Sequence, residues 1–361
     1  MQHDPVDFGG QVSKTTTTLS GGSGSYDILE MYTSVIPQYA AAGKLVPLDD
    51  LFAKYKDKYQ LGELDPTMLE QLRYQGKLYA LPTQANVTVL AYRKDIFQQL
   101  GLEPPKTFVD IISDAQKIKQ AGTMEYPVAL PLLSTADIGT MFRIMMNSQG
   151  QQQGEDATKM PNFTSPAATK ALQTLRDLAP YMDPQVTTFD QPKVQQQLFN
   201  GQAAIAMMFS GRMADLLDKS NTQYYDKFGF AVAPSVEPGG KAAASLSVDG
   251  WSIPANTKLD KDLLFQVVAA SVSADAAKNS LPAAYPSRTS VISDTQLPYS
   301  PAVQQALKNG AAAPQPYAWA GPLQTQTSPI ITGGVTGAAS IDATLAEAQR
   351  LGTEVIKSTG G

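Results

Sequence analysis

The stretch "LYALPTQANVTVLAYR" (78–93) decides the fold, because two apolar runs flank a short polar break. The runs at 78–83 and 86–93 are rich in Leu, Val, Ala and Tyr, and their lengths are typical of buried strands. Gln84 and Asn86 lie at the break. We therefore predict two strands separated by a short polar break.

Outward from this stretch, strand and helix patterns alternate. Apolar runs of strand length are "YDILEMY" (26–32), "YPVALPLL" (126–133), "AAIAMMFS" (203–210), "FGFAVAPS" (228–235) and "GWSIPA" (250–255). Helical patterns lie at 165–182, 192–202 and 340–357, and Ser165 and Ser340 are candidate N-caps. The alternation predicts an α/β fold with mostly parallel sheets.

The composition narrows the function classes. A chain of 361 residues suggests two domains, and because no long Pro/Gly/Ser tract separates them, we expect the chain to cross between lobes more than once. The net charge of −5 gives no electrostatic case for nucleic acid. The absence of cysteine and the single histidine, His3, argue against thiolate or His-rich metal sites and a Ser-His-Asp triad. No apolar run is long enough to span a bilayer, and the first residues lack the pattern of an export signal.

The segment "KTTTTLSGGSGS" (14–25) has a glycine-rich end that invites comparison with a phosphate-binding loop. A Walker A loop follows a strand and carries Lys-Ser/Thr, whereas this segment precedes a strand and lacks that pair. We therefore predict a helix that the glycines end, followed by a turn into the strand at 26–32.

Several segments together resemble one family, the extracellular solute-binding proteins of carbohydrate ABC importers (family 1, maltose-binding-protein-like). They are "SGGSGSYDIL" (20–29), "YAAAGKLVPLDDLF" (39–52), "GKLYALPTQANVTVLAYRKDIFQQLGLEPPKTFVDII" (76–112), "QQLFNGQAAIAMMFSGRM" (196–213), "DGWSIPANTK" (249–258) and "AAYPSRTSV" (283–291). The resemblance covers nearly the whole chain. It implies a two-lobed periplasmic-binding-protein type II fold whose hinged cleft captures a sugar or oligosaccharide for the membrane subunits of a permease. No catalysis, metal or cofactor is implied. The implied location is periplasmic or extracellular, with a lipoprotein anchor as one option for the full-length form.

The chain departs from the family pattern at two packing positions and at its start. Arg93 stands where Asn is usual, and Phe108 where Trp is usual. The resemblance also implies that Met1 falls after the family's first strand and first helix. On that basis we expect an exposed strand edge, with Ile28, Leu29 and Met31 losing part of their cover.

The resemblance also implies lobe boundaries. The N-terminal lobe would comprise residues 1–86 plus 253–292, and the C-terminal lobe residues 87–252 plus 293–361. The crossings would lie near 84–88, near 247–253 and in the 290s.

A sugar site needs aromatic rings for the C–H faces and side chains that donate and accept hydrogen bonds for the hydroxyl groups. Two criteria select the candidates: a place at a predicted crossing, or a place just beyond the end of a predicted strand. Arg288 is added because it matches a recurrent family arginine, and Asp137 and Trp319 are weaker candidates. The candidate ligand-binding residues are Tyr32, Ser34, Gln84, Asn86, Asp137, Ser210, Arg212, Asp249, Trp251, Arg288 and Trp319.

Each candidate has a purely structural alternative. Trp251 could fill a core, Gln84 and Asn86 could be solvated hinge amides, and Arg212 could form a surface ion pair. Two alternatives for the whole protein also stand. One is a glycoside hydrolase or lyase, which needs two carboxylates about 5–10 Å apart, and we find no acidic pair at successive strand ends. The other is a truncated remnant with impaired binding.

Overall fold

The computed structural model describes residues 2–6, 8–22, 25–155, 160–293 and 297–359. Its α-helices are α1 Phe8–Ser20, α2 Ile36–Ala41, α3 Asp49–Tyr55, α4 Pro66–Gln71, α5 Lys94–Leu100, α6 Phe108–Gln120, α7 Asp137–Ser148, α8 Pro166–Leu178, α9 Gln191–Phe199, α10 Lys261–Ser271, α11 Ala274–Asn279, α12 Ser300–Lys308, α13 Ala320–Thr336 and α14 Ile341–Ser358. Its strands are β1 Leu29–Tyr32, β2 Arg73–Tyr74, β3 Lys77–Leu78, β4 Leu81–Arg93, β5 Val128–Ala129, β6 Gly154–Glu155, β7 Met160–Pro161, β8 Ile205–Phe209, β9 Phe228–Val232, β10 Leu246–Ser252 and β11 Tyr285–Pro286.

One sheet runs through the molecule in the order β1-β10-β4-β8-β5, and β11 and β9 also pair with β4. The first half of β4, residues 81–87, pairs with β10, and the second half, residues 88–93, pairs with β8 and β9. The two strands that the sequence predicts here are therefore one strand of 13 residues. Gln84 and Asn86 do not interrupt it, because both stay in register with β10.

The prediction of mostly parallel sheets is wrong, although the α/β class holds. Every strand pair that includes β4 is antiparallel, and so is β1 with β10; β5 with β8 is parallel. The reason is the path of the chain. β4 carries it one way along the molecule and β10 carries it back, so two neighbouring strands must run in opposite directions.

The predicted helices begin at the predicted caps. The Ser165 hydroxyl oxygen accepts a hydrogen bond from the Ala168 N–H at 3.2 Å, with Pro166 as the first helical residue of α8. Ser340 accepts one from the Ala343 N–H at 3.2 Å at the start of α14. Side-chain caps of this kind typically contribute about 1 kcal/mol to the stability of the folded protein.

Helix α1 confirms the predicted helix over the threonines, and it ends where the glycines begin. The predicted glycine turn includes Ser23 and Gly24, which lie outside the described residues. Asn256 ties the end of this helix to the rest of the protein, because its side-chain amide donates hydrogen bonds to the carbonyl oxygens of Thr18 and Gly21 at 2.7 and 2.9 Å.

Strand β1 lies at one end of the sheet order. The Gln11 side chain of α1 donates a hydrogen bond to the Glu30 carbonyl oxygen at 2.5 Å. Leu29 and Met31 are nevertheless buried, so the expectation that they lose cover is wrong, whereas Ile28 is half-buried. Both buried residues belong to the same core cluster as Leu19 of α1.

The predicted lobe boundaries remain a prediction, although β4 changes partners where the sequence places its crossing. Among the described residues, no helix combines the length and the apolar character that spanning a bilayer requires.

Arg288 holds three segments together beneath the sheet. Its side chain is 1% exposed. The guanidinium donates to the carbonyl oxygens of Val272, Tyr59 and Gln60 at 2.6, 2.8 and 3.0 Å. It also pairs with the Glu63 carboxylate at 2.9 Å. Because its donors are committed to protein oxygens, we do not carry Arg288 into the binding site proposed below.

We predict that Arg288→Met lowers the free energy of unfolding by about 3 kcal/mol, because the buried Val272 carbonyl group, two partly buried carbonyl groups and one half-exposed carboxylate lose their partner. Urea unfolding measures the change. Arg350→Met is the matched control, since Arg350 pairs with Glu347 and Glu354 on the surface, and we expect little or no change in the free energy of unfolding. Equal stability losses in the two variants would contradict the structural role of Arg288.

Candidate functional site

Three neighbouring strands present one half-exposed polar face, which we call the crossing face. In the register, Tyr32 of β1 lies opposite Asp249 of β10, and Asp249 lies opposite Gln84 of β4. Because side chains alternate between the faces of a sheet, the same face carries the neighbours two residues away. Its members are Glu30, Tyr32, Gln84, Asn86, Ser247, Asp249 and Trp251. The opposite face is apolar and fully buried, as Met31 and Val248 show.

Asp249 lies at the centre of the crossing face. Its side chain is 5% exposed, and its Oδ2 atom accepts hydrogen bonds from the amides of Gln84 at 2.8 Å and Asn86 at 2.7 Å. The pKa of Asp249 is raised to about 7, chiefly by burial and also by the nearby charge of Glu30, against the lowering effect of the two amide hydrogen bonds. A carboxylate with this pKa changes its charge near neutral pH.

Glu30 is a member of the crossing face that the sequence analysis missed. The Tyr32 hydroxyl donates a hydrogen bond to Glu30 Oε2 at 3.5 Å. Burial raises the pKa of Glu30, and burial together with the two carboxylates raises the pKa of Tyr32. The signal was present in the sequence, since Glu30 precedes Tyr32 by two residues in the strand "DILEMY" and therefore shares its face.

The turn after β8 approaches the crossing face from the other half of the sheet. A Cβ atom on Gly211 would lie 2.7 Å from Asn86 Oδ1, so the main chain passes directly against this amide. Ser210 is completely buried, and its hydroxyl oxygen accepts a hydrogen bond from the Val87 N–H at 3.1 Å. Ser210 therefore fixes the turn to β4.

Arg212 follows in the same turn and lies among carboxylates. Burial lowers the pKa of its guanidinium, and the charges of Asp190, Asp215 and Asp137 oppose that shift. At the start of α7, burial and the charge of Asp190 raise the pKa of Asp137 to about 6, opposed by a hydrogen bond from Gln191 and by Arg212. The structure thus brings two of the predicted residues, Asp137 and Arg212, into one electrostatic group.

The candidates Trp319 and Ser34 lie apart from the group around Asp249. Trp319 is 2% exposed and stacks on Tyr317 with ring centroids 5.0 Å apart, in contact with the main chain at Gly154. Its helix α13 nevertheless meets the segment after β1, because a Cβ on Gly321 would lie 3.3 Å from the Ser34 carbonyl oxygen. Ser34 and the start of α13 are therefore direct neighbours, and we call this place the rim.

The crossing face combines ring surfaces with groups that donate and accept hydrogen bonds. The rings are those of Trp251 and Tyr32, and the polar groups are the amides of Gln84 and Asn86 and the Asp249 carboxylate. Such a set suits a compact polyhydroxylated molecule. Within the described ranges, no group of three or more His, Cys, Asp or Glu side chains is placed to hold a metal ion.

Comparison with known proteins gives related sequences. A probable amino-acid ABC transporter periplasmic-binding protein of Sinorhizobium fredii, y4oP, is 30% identical over 252 residues, which are 66% of this chain and 55% of that protein. A mannitol-binding protein of Pseudomonas aeruginosa is 27% identical over 249 residues, 68% of this chain and 56% of that one. The chain thus matches little more than half the length of these relatives.

Solved structures share the fold. A solute-binding protein of an ABC transporter from Agrobacterium radiobacter, in complex with ribitol, superposes with a TM-score of 0.86 at 22% identity, covering 98% of this chain and 90% of that one. Maltose-bound MalE3 of T. maritima gives a TM-score of 0.85 at 19% identity, covering 96% and 88%. The chain therefore shares the two-lobed α/β fold of these proteins.

The family assignment comes from the sequence itself. The family model described as bacterial extracellular solute-binding protein matches residues 4–278, which is more than half of the chain. This chain belongs to the bacterial extracellular solute-binding protein family.

Proposed function

We propose that the protein captures a sugar or polyol in the cleft and delivers it to the membrane subunits of an ABC importer. The observation that carries this proposal is the crossing face, where Asp249, Gln84 and Asn86 form one hydrogen-bonded group beside the rings of Trp251 and Tyr32. The relatives support it, since they include a mannitol-binding protein and proteins crystallised with ribitol, D-mannitol and maltose.

Each part of the crossing face has a task in binding. The amides of Gln84 and Asn86 offer both donors and acceptors to neighbouring hydroxyl groups, and Asp249 accepts from a hydroxyl when ionised. Unpaired hydroxyl groups in a closed cleft would each cost about 1–3 kcal/mol, so the number of matched partners selects the solute. Asp137, Arg212 and Ser34 would contact the solute from the rim after closure.

The partners and the place follow from the family. A solute-binding protein of this family works outside the cytoplasmic membrane, in the periplasm or the extracellular space. The closed form would present one combined surface of both lobes to the permease. Neither nucleic acid nor a cofactor has a part in this function, and a lipid anchor of the full-length form stays a prediction of the family resemblance.

A glycoside hydrolase is the weaker candidate. Glu30 and Asp249 are an acidic pair on neighbouring strands, although they lie within the strands and not at the ends of successive strands. Both carboxylates, however, lie on one face of one sheet and would reach a solute from the same side. Glycosidases place their two carboxyl groups so as to flank the scissile bond.

The test of the function is binding of unmodified solutes. Native mass spectrometry of protein purified from its own host identifies a co-purified ligand, and calorimetry with a panel of neutral sugars and polyols and their amino and acidic counterparts measures affinity. Micromolar binding would correspond to about −8 kcal/mol. Cleavage of an oligosaccharide during incubation, or the absence of any binding across the panel, would contradict the proposal.

We predict that Trp251→Ala weakens solute binding at least about fivefold, or about 1 kcal/mol, because stacking and buried apolar area are lost. Calorimetry measures the change. Tyr225→Ala is the control, since Tyr225 is an exposed aromatic residue away from the crossing face. An unchanged affinity in Trp251→Ala would remove Trp251 from the site.

We also predict that the solute reduces the overall dimensions of the protein. Two lobes that share one long strand close as a hinge around a ligand. Small-angle scattering should therefore give a smaller radius of gyration at saturating solute than without solute. Identical scattering curves in the two states would contradict closure.

A further inference from the structure

Among the described residues, the two carboxylates of the crossing face have little positive charge near them. Within the described part of the chain, the charged group that acts on Asp249 is the carboxylate of Glu30. The group of opposite charge that acts on Glu30 is the His3 side chain. Neither carboxylate forms an ion pair with a described residue. Burying negative charge without a partner is costly, so this pair favours a neutralising group.

The nearby arginines do not supply that group. Arg212, which follows Gly211 in the turn against Asn86, is already surrounded by the charges of Asp190, Asp215 and Asp137. Arg143 is buried below the start of β10 and donates to Ser245, Ala312 and Gln324. It is not among the charges that act on Asp249. The local balance of charge is therefore negative.

One oxygen of Asp249 is free for a ligand. Both amide hydrogen bonds fall on Oδ2, and Oδ1 accepts none from the described residues. Asp249 as a whole residue is 5% exposed, and Oδ1 is not among the fully buried side-chain atoms that lack a partner in the described residues. Glu30 is the diagonal neighbour of Asp249 across the two strands. Diagonal neighbours of this kind are separated by about 7–8 Å, which leaves room for a small group between their carboxylates.

We propose that the solute carries a protonated amine, as amino sugars and amino polyols do, and that its ammonium group lies between Glu30 and Asp249. The inference rests on the proposed function and specifies its solute class. An ammonium group has three N–H donors, which match Asp249 Oδ1 and the Glu30 carboxylate and leave one for a neighbouring acceptor. Charge-assisted hydrogen bonds of this type are about twice as strong as neutral ones.

Other solute classes fit less well. A divalent metal ion such as Ca²⁺ takes six to eight oxygen ligands, and two carboxylates supply too few. A sugar acid would add a third negative charge to the pair. A neutral polyol can bind, but it does not neutralise the negative charge of the two carboxylates.

The test uses matched solutes that differ in one group. D-Glucitol, D-glucamine and D-gluconate share a six-carbon chain and carry a hydroxymethyl, an aminomethyl and a carboxylate group at one end. Pairs of glucose, galactose and mannose with their 2-amino derivatives extend the set to ring forms. Thermal shift ranks the binders, and calorimetry at pH 7.5 measures their affinities.

We expect the tightest solute of the set to carry an amine and to bind at least about tenfold more tightly than its neutral counterpart. A neutral solute that binds as tightly as its amine, or more tightly, overturns the inference and leaves the proposed function standing. Tightest binding by an acid also overturns it. If no member binds, both proposals fail.

Variants then test where the amine lies. Glu30→Gln and Asp249→Asn keep the shape but remove one charge each, so we expect each to weaken amine binding at least about tenfold and binding of the neutral counterpart less than about threefold. Glu103→Gln is the control, because Glu103 is an exposed carboxylate at the far end of β4, beside Tyr92. Equal losses for amine and neutral solutes would assign the two residues a structural role. If Asp249→Asn does not fold, Glu30→Gln decides.

The pH dependence gives a second readout. A primary amine like that of lysine stays protonated to about pH 9. Asp249, with its pKa raised to about 7, must lose its proton to meet the amine. Affinity for D-glucamine should therefore rise as the pH increases from 5.5 to 8, by up to about tenfold per pH unit below the pKa, and this slope should disappear in Asp249→Asn. A flat profile in the unmodified protein would contradict the inference.

Discussion

The structure depends on one continuous hydrogen-bonded strand, β4, that belongs to both halves of the sheet. Its first half is paired with β10 and its second half with β8 and β9. A strand buried among partners along its whole length cannot be interrupted without leaving backbone groups unpaired. The polar residues in its middle, Gln84 and Asn86, are therefore held in fixed positions, and side chains from β1 and β10 are arranged against them.

Part of the fold could be predicted from the sequence, because local signals and final structure agree in several elements. Ser165 and Ser340 are caps in sequence and in structure, and the threonine-rich helix ends at the glycines. The direction of the strands could not be predicted, since it depends on which strands become neighbours. Alternating strands and helices usually produce parallel sheets, but a chain that crosses and returns beside itself produces antiparallel pairs. The pattern of apolar residues within one segment carries no information about which later strand will run back beside it.

The placement of the candidate residues was predictable where the strand periodicity applies and unpredictable elsewhere. Tyr32, Gln84, Asn86, Asp249 and Trp251 share one face, as strand alternation and the expected crossing imply. Ser210, Trp319 and Arg288 are polar or aromatic residues in suitable positions, yet their side chains are buried in contacts that no sequence pattern reveals. Glu30 was missed for a different reason, because a single acidic residue in an apolar strand resembles an ordinary surface position until its neighbours are known.

The bonds between Asp249 and the two amides of β4 have a mechanical consequence. They join β10 to the first half of β4, close to the place where β4 changes its partners from β10 to β8 and β9. On the proposed function, the two lobes would turn relative to each other near this place. An ionised carboxylate accepts these bonds more strongly than a protonated one. We therefore expect the charge state of Asp249 to influence how firmly β10 is held to β4, and we call this connection the joint. We therefore expect the joint to be softer in acid and firmer when a cation holds Asp249 in its ionised form. On the proposed function, the same three side chains would influence the stiffness of the hinge and recognise the charge of the solute.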